Sequence, residues 1–235
     1  MTLAVMQPYL FPYLGYYQLV SAVDTFVFFD DVNFINKGWI NRNNLLQQGH
    51  PSRFTMPLVK ATQNKRINEI ELSNFNGWRY DLLKTVENSY KKAPYFVFVF
   101  NWLKDFLSKD YSYISELASG SVKAVADMLE LPTRFINSST INYKNNETQN
   151  GVQKILAICK ILNADKYINP KNGVELYDRK EFLSLNKELH FINMHEITYP
   201  QFKQNAFVPN LSIIDVMMFN SKNEILKMLA KYELA

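Results

Sequence analysis

The sequence predicts an α/β fold, a parallel sheet flanked by helices, and three observations carry that reading. Between Leu3 and Phe29 an apolar run, a turn, a segment of helical period and a second apolar run follow one another. Later apolar runs at Thr133–Asn137, Lys166–Ile168 and Leu189–Met194 alternate with helical patterns. The chain, 235 residues with 47% hydrophobic content, is long enough to bury one sizeable core around such a sheet. One domain over residues 1–235 is expected, with a mainly helical segment at about 78–131.

Taken in order, Leu3–Met6 is the first buried strand. Pro8 and Pro12 each fix φ and remove a donor, so a rigid loop follows. From Gly15 to Val23, Tyr16, Leu19, Val20 and Val23 fall at helical spacing, and Asp24 ends the helix. Thr25–Phe29 is the second strand, and the βαβ unit makes the two strands parallel. Phe54–Val59 and Ile67–Leu72 read as strands, the latter alternating with period two. Helices are predicted from Trp78 to about Tyr90, Phe96 to about Leu107, Ile114 to Leu131 and Gly151 to Leu162, with Ala93-Pro94 separating the first two. A loop around Tyr199 to Asn210 and a final helical region close the chain.

Lys and Arg number 26 and Asp and Glu 22, a net charge of +4 spread too evenly to mark a nucleic-acid groove. No DNA partner is expected, and an anionic small molecule fits the balance. Met1–Val5 carries no basic leader, and no apolar run approaches the roughly 20 residues of a membrane span. A soluble, cytoplasmic protein without membrane insertion is the expectation. One cysteine, Cys159, and the dispersed His50, His190 and His195 predict neither a disulfide framework nor a metal site.

Polar and aromatic groups concentrate after the predicted strands: Gln7 to Tyr16, Asp30 to Arg42, and Asn137 to Thr140. At the carboxyl edge of a parallel sheet these loops converge. A fourth cluster runs from Tyr199-Pro200-Gln201-Phe202 to Asp215. The tyrosines of the first loop either plug the sheet end or offer stacking faces, with Tyr13 and Tyr16 flanking Gly15 at the helix entrance. Gln7 either caps a backbone group or contacts a ligand. Asp30 and Asp31, if in a strand, point to opposite faces, so only one of them serves a given ligand atom. Trp39 and Asn41 beside Arg42 favour anion recognition through the guanidinium fork. Ser138 and Ser139 read as a turn or cap as readily as ligand donors. His195, just after an apolar strand and close to Tyr199 and Gln201, is the histidine suited to general-base work.

Gln7-Pro8, Pro12-Tyr13-x-Gly15-Tyr16, Asp24, Asp30-Asp31-Val32, Trp39-x-Asn41-Arg42, Ser138-Ser139 and Phe207-x-Pro209-Asn210-Leu211-Ser212-Ile213-Ile214-Asp215 together resemble the WbqC-like protein family. That resemblance spans essentially the whole chain and implies a role in bacterial surface polysaccharide, O-antigen or lipopolysaccharide biosynthesis. The expected reaction is acyl or aminoacyl transfer to a nucleotide-linked amino sugar. The donor would be a coenzyme A or acyl carrier protein thioester, or an aminoacyl transfer RNA, with no tightly bound cofactor. A second copy of the chain is a further candidate partner.

The frame Tyr13-Leu14-Gly15-Tyr16-Tyr17-Gln18-Leu19 is also similar to the His-x-Gly-His signature of nucleotidylyltransferases, which implies a Rossmann-like, nucleotidylyltransferase-like sheet. Both histidines are tyrosines here, and a phenol carries no positive charge near neutral pH. Nucleotidyl transfer is therefore not expected, while a nucleotide pocket is. In the acyl-transfer scheme Asp30, Asp31 or His195 takes the amine proton. Gln7, Tyr13, Tyr16 and Asn41 hold the oxyanion or the sugar, and Arg42 engages phosphate. A non-catalytic sugar-nucleotide or glycan-binding module, or a diverged nucleotidylyltransferase, uses the same groups without that proton transfer.

Overall fold

The computed structural model of the chain describes residues 1–73, 77–143, 150–202 and 206–235. Part of the loop expected between Tyr199 and Asn210, residues 203–205, lies outside the described residues. The first strand β1 (Thr2–Met6), helix α1 (Leu14–Ser21) and strand β2 (Thr25–Phe28) form the predicted βαβ unit, with Leu3 opposite Thr25 and Met6 opposite Phe28 in parallel register. Asp24 locks its start: Thr2 N donates to Asp24 Oδ2 at 2.7 Å and Asp24 N donates to Thr2 Oγ1 at 2.8 Å.

Further along the chain lie β3 (Arg42–Gln47), β4 (His50–Thr55), α2 (Gly77–Tyr90), α3 (Phe96–Leu107), α4 (Ile114–Met128) and β5 (Arg134–Asn137). They are followed by α5 (Gly151–Ile161), β6 (Lys166–Pro170), α6 (Arg179–Ser184), β7 (Glu188–Met194), α7 (Ile213–Phe219), α8 (Lys222–Leu229) and β8 (Tyr232–Leu234). The main sheet runs β5-β2-β1-β6-β7-β8, parallel except where β8 pairs antiparallel with β7. Strand order reverses at β1, with β2 on one side and β6 on the other, which is the Rossmann-like arrangement and opens a crevice beyond the carboxyl ends of those strands.

Period-two alternation divides the core between the sheet's faces. Ala4, Phe26, Phe28, Ile168 and Ile192 pack under α1, α4, α7 and α8, while Leu3, Val5, Val27, Tyr167 and Phe191 pack under α5 and α6. Cys159, on the second face, is buried, and burial pushes its thiol up to about 12.

Two expected strands are corrected. Phe54 and Thr55 end β4, and Ile67–Glu69 is a 3₁₀ turn whose neighbours make only isolated bridges, Asn33 with Arg66 and Leu58 with Leu72. The unpredicted β3–β4 hairpin turns through Gln48 (φ 51°) and Gly49 (φ 80°), two successive left-handed residues whose twist matches the strands they join.

The loop between β1 and α1 is held in a conformation that local preference opposes. Phe11 has φ 41°, rare for a bulky residue, and is fully buried. Its N–H donates to Ser121 Oγ of α4 at 2.9 Å. Its carbonyl accepts from Asn43 Nδ2 of β3 at 2.6 Å and from Ser212 Oγ at 2.8 Å. Asn43 Nδ2 also reaches Leu10 O at 3.1 Å, and Ile213 N donates to Pro12 O at 2.9 Å.

A second buried network joins α2, α7 and the loop after β7. Asp215 Oδ1 accepts from Tyr90 at 2.8 Å, and its Oδ2 accepts from Tyr199 at 2.6 Å and Gln201 Nε2 at 3.0 Å. Burial raises the Asp215 carboxyl above its ordinary range, against the lowering effect of those donors.

Asn43→Ala removes the amide donor shared by Leu10 O and Phe11 O, of which Phe11 O keeps Ser212 Oγ, and urea titration should show a loss of about 1–3 kcal/mol, whereas Asn44→Ala should cost less than about 1 kcal/mol. With the Asp215 carboxyl raised, the folded chain retains a proton that the unfolded chain has released between the ordinary and the raised value. Stability from this group is therefore present below the ordinary carboxylate range and is lost as pH rises through that window. Asp215→Asn should remove that slope from urea midpoints recorded across the acidic range.

Candidate functional site

Two cavities adjoin at the carboxyl edge of the sheet. The larger, about 440 Å³, lies between the start of α1 and the segments after β7, and its lining includes Tyr13, Gly15, Gln18, His195, Tyr199 and Asn210. The smaller, about 280 Å³, is lined by Tyr9, Pro12 and Tyr13 from the loop after β1, together with Trp39, Asn43, Asn172 and Asn210. Tyr13 and Asn210 line both.

Tyr13 is the N-cap residue of α1, with no side-chain cap bond and no acidic residue in the helix's first turn. Its ring lies over Gly15: a Cβ there would fall 2.5 Å from Tyr13 Cε2 and 2.4 Å from Met194 Sδ. A side chain at position 15 would therefore displace Met194, at the end of β7, and the Tyr13 ring from the helix entrance. Burial raises the Tyr13 and Tyr9 hydroxyls above the ordinary phenol value, so both remain donors at neutral pH. Gln18 donates to Lys231 O at 2.8 Å and Met228 O at 3.1 Å, tying α1 to the end of α8. Asn210 takes the left-handed conformation (φ 56°), which asparagine tolerates.

His195 follows β7 directly, is about half exposed, and places Nε2 3.3 Å from Glu233 Oε1 of β8. Tyr199 is fixed from behind by Asp215, and Gln201 closes the same segment by donating to Val208 O at 3.1 Å and accepting from Val208 N at 2.9 Å.

Other expected site residues lie elsewhere. Asp30 and Asp31 are buried and line neither cavity. Ser138 Oγ sits between them, 3.0 Å from Asp30 Oδ1 and in hydrogen-bond contact with Asp31 Oδ1. Asp30 also accepts from Ser139 N at 2.9 Å, Ser139 Oγ at 2.7 Å and Asn137 Nδ2 at 3.2 Å, while Tyr143 donates to Asp31. The expectation of opposite-facing carboxylates fails because β2 ends at Phe28 and the pair lies in irregular backbone beyond it. Together with Ser138 and Ser139 they latch the loop after β2 to the loop after β5.

Tyr16 is buried, its ring 5.7 Å from that of Tyr9 and its hydroxyl donating to Gln7 O at 2.8 Å. Gln7 is thus engaged through its backbone, while its side chain is half-buried. Asn41 donates to Met56 O at 2.8 Å and Arg42 Nε to Gly38 O at 2.6 Å, so both brace the loop that carries Trp39. Asn43 and Asn172 escaped sequence reasoning. Asn43 lies one residue past the Trp39-x-Asn41-Arg42 motif, and Asn172 follows β6 at the strand-order reversal, the position that topology alone could have flagged. Among the described residues no group of three or more His, Cys, Asp or Glu is placed to hold a metal ion, and no helix is long and apolar enough to cross a membrane.

Comparison with known proteins covers nearly the whole chain. The chain is 25% identical over 221 residues, 92% of either chain, to the uncharacterized protein Rv1507c of Mycobacterium tuberculosis (strain ATCC 25618 / H37Rv). No solved structure matches. The model of the WbqC-like protein family matches residues 7–227, from the glutamine that opens the first loop into α8, and the chain belongs to that family.

Proposed function

We propose that the chain is a cytoplasmic transferase of bacterial surface-glycan biosynthesis that places an acyl or aminoacyl group on the amine of a nucleotide-linked amino sugar. The observation that carries this reading is the junction of two cavities at Tyr13 and Asn210, beside the strand-order reversal. The rings of Tyr9 and Trp39 suit a stacked base, with Asn172 and Asn210 as amide partners. The diphosphate crosses at Tyr13 against the uncapped start of α1, where backbone donors and the helix dipole favour negative charge. The amino sugar then occupies the larger cavity beside His195.

In the transfer, the amine nitrogen attacks the donor's carbonyl carbon. A C–N bond forms, the carbonyl's bond to the carrier sulfur or oxygen breaks, and the carrier leaves with the proton that His195 has taken from the amine. Glu233 Oε1 beside Nε2 can accept that nitrogen's N–H, which leaves Nδ1 as the acceptor. The protonated Tyr13 hydroxyl is a donor for the developing oxyanion. The engagement of Asp30 and Asp31 within the latch leaves His195 as the base and favours one second reading, a sugar-nucleotide-binding module without turnover. A diverged nucleotidylyltransferase is disfavoured because the Tyr16 hydroxyl is already bound to Gln7.

Nucleotide-linked amino sugars should raise the thermal midpoint by several degrees at concentrations well above Kd, and no rise with any of them removes the proposal. His195→Asn should keep that shift and lower transfer at least about 100-fold. Ligand-induced stabilisation without donor consumption would establish the module instead. Gly15→Ala, by displacing Tyr13 and Met194, should abolish the ligand-induced shift while the unliganded protein still melts cooperatively.

A further inference from the structure

The mild net charge conceals a local asymmetry. Residues 32–66 contain Lys37, Arg42, Arg53, Lys60, Lys65 and Arg66 and no Asp or Glu, while the other 20 Lys and Arg are set against all 22 Asp and Glu. Contacts tie parts of this stretch together, and Trp39 and Asn43 within it line the smaller cavity. Phe34 N donates to Lys65 O at 2.9 Å, Asn41 and Met56 exchange hydrogen bonds, and the Arg53 guanidinium lies 5.5 Å from the centre of the Trp39 ring. None of the six cations is ion-paired with a described carboxylate. Glu69 and Glu71 stand at its border, where Glu69 accepts from the backbone N–H of Arg66 and Glu71 is exposed.

Two turns of this surface share a construction. Lys37 (φ 62°) and Lys60 (φ 44°) both hold the left-handed conformation that lysine seldom adopts. Ile35 and Trp39 flank the first and are 49% and 43% exposed, and Val59, 37% exposed, precedes the second. Large apolar side chains displayed beside unpaired cations match an interfacial anchor. Nucleic acid also attracts the cations, but Ile35 and Val59 offer a base neither a stacking face nor a hydrogen bond.

We propose that the surface of this stretch docks on an anionic phospholipid bilayer, with Lys37, Arg53, Lys60, Lys65 and Arg66 meeting headgroup phosphates and Ile35, Trp39 and Val59 entering the boundary of the acyl region. Trp39 also lines the smaller cavity, so docking sets that cavity's rim at the headgroups. The inference is independent of the transfer reaction.

The test is co-sedimentation of the full chain with phosphatidylcholine vesicles, with and without about one-third phosphatidylglycerol. Binding should be at least about tenfold tighter to the anionic vesicles, should weaken at about 0.5 M salt, and should shift Trp39 emission to the blue. Lys37→Asn with Lys60→Asn, which keeps a residue tolerant of the left-handed backbone, should weaken binding roughly tenfold, and Ile35→Ser several-fold, with thermal midpoints unchanged. Equal binding to both vesicles, absence of binding, variants that bind like the parent, or capture of duplex DNA in preference to vesicles would each overturn the proposal.

Discussion

The candidate site depends on one backbone position, the left-handed Phe11. Such a conformation costs a bulky residue on the order of 1–3 kcal/mol, so it persists only where its surroundings over-determine it. Here the hydrogen bonds come from β3, α4 and the cap of α7, elements separated from Phe11 by 32, 110 and 201 residues. The Phe11 ring adds edge contacts to Trp102 and Phe106 of α3. One loop thereby unites the hairpin, the helical segment and the C-terminal helices, and those same ties aim Tyr9 and Tyr13 beyond the sheet edge.

The polar groups around that edge divide by what already satisfies them. The Asp30 and Asp31 carboxylates are buried and already accept hydrogen bonds from the loop after β5, which suits a rigid latch. Asp215 is buried with three donors yet still raised, the balance expected where desolvation outweighs hydrogen bonding. Of the three expected catalytic residues, His195 is the one that lines either of the two described cavities, with Glu233 beside its Nε2. Hydrogen-bond saturation therefore separates scaffold from candidate chemistry more sharply than residue type does.

Most regular elements were legible in the sequence because burial imposes a period. The parallel strands read as apolar runs, and α3 begins and ends where its apolar spacing and Ala93-Pro94 place it. The β3–β4 hairpin was hidden because Gln48-Gly49 is a weaker turn signal than Asn-Gly, and because β3, rich in asparagine, resembles loop. Ile67–Leu72 alternates like a strand, yet the chain there serves loop-to-loop bridges that need only single residue pairs. At the site, Tyr13, Gly15, His195, Tyr199 and Asn210 were legible, since they follow strands or accompany glycine and proline. The roles of Asp30, Asp31 and Tyr16 were not, because whether a side chain meets solvent or a buried hydroxyl depends on contacts more than a hundred residues away or, for Tyr16, on how the loop folds back.

The same loops that frame the smaller cavity also carry the unbalanced positive charge, and this coincidence has a physical logic. Arg42 and Asn41 turn inward and fix the loop, which leaves Lys37 and Trp39 presented outward at a rigid tip. A flexible loop would have lost its ordering entropy on meeting a partner, whereas a braced one has already paid that cost in folding. Bracing by Asn41 and Arg42 thus acts on both sides of Trp39, shaping the cavity wall behind the ring and the exposed surface in front of it. The stretch Trp39-x-Asn41-Arg42 therefore fixes the position of that indole with no need for either polar side chain to touch a ligand.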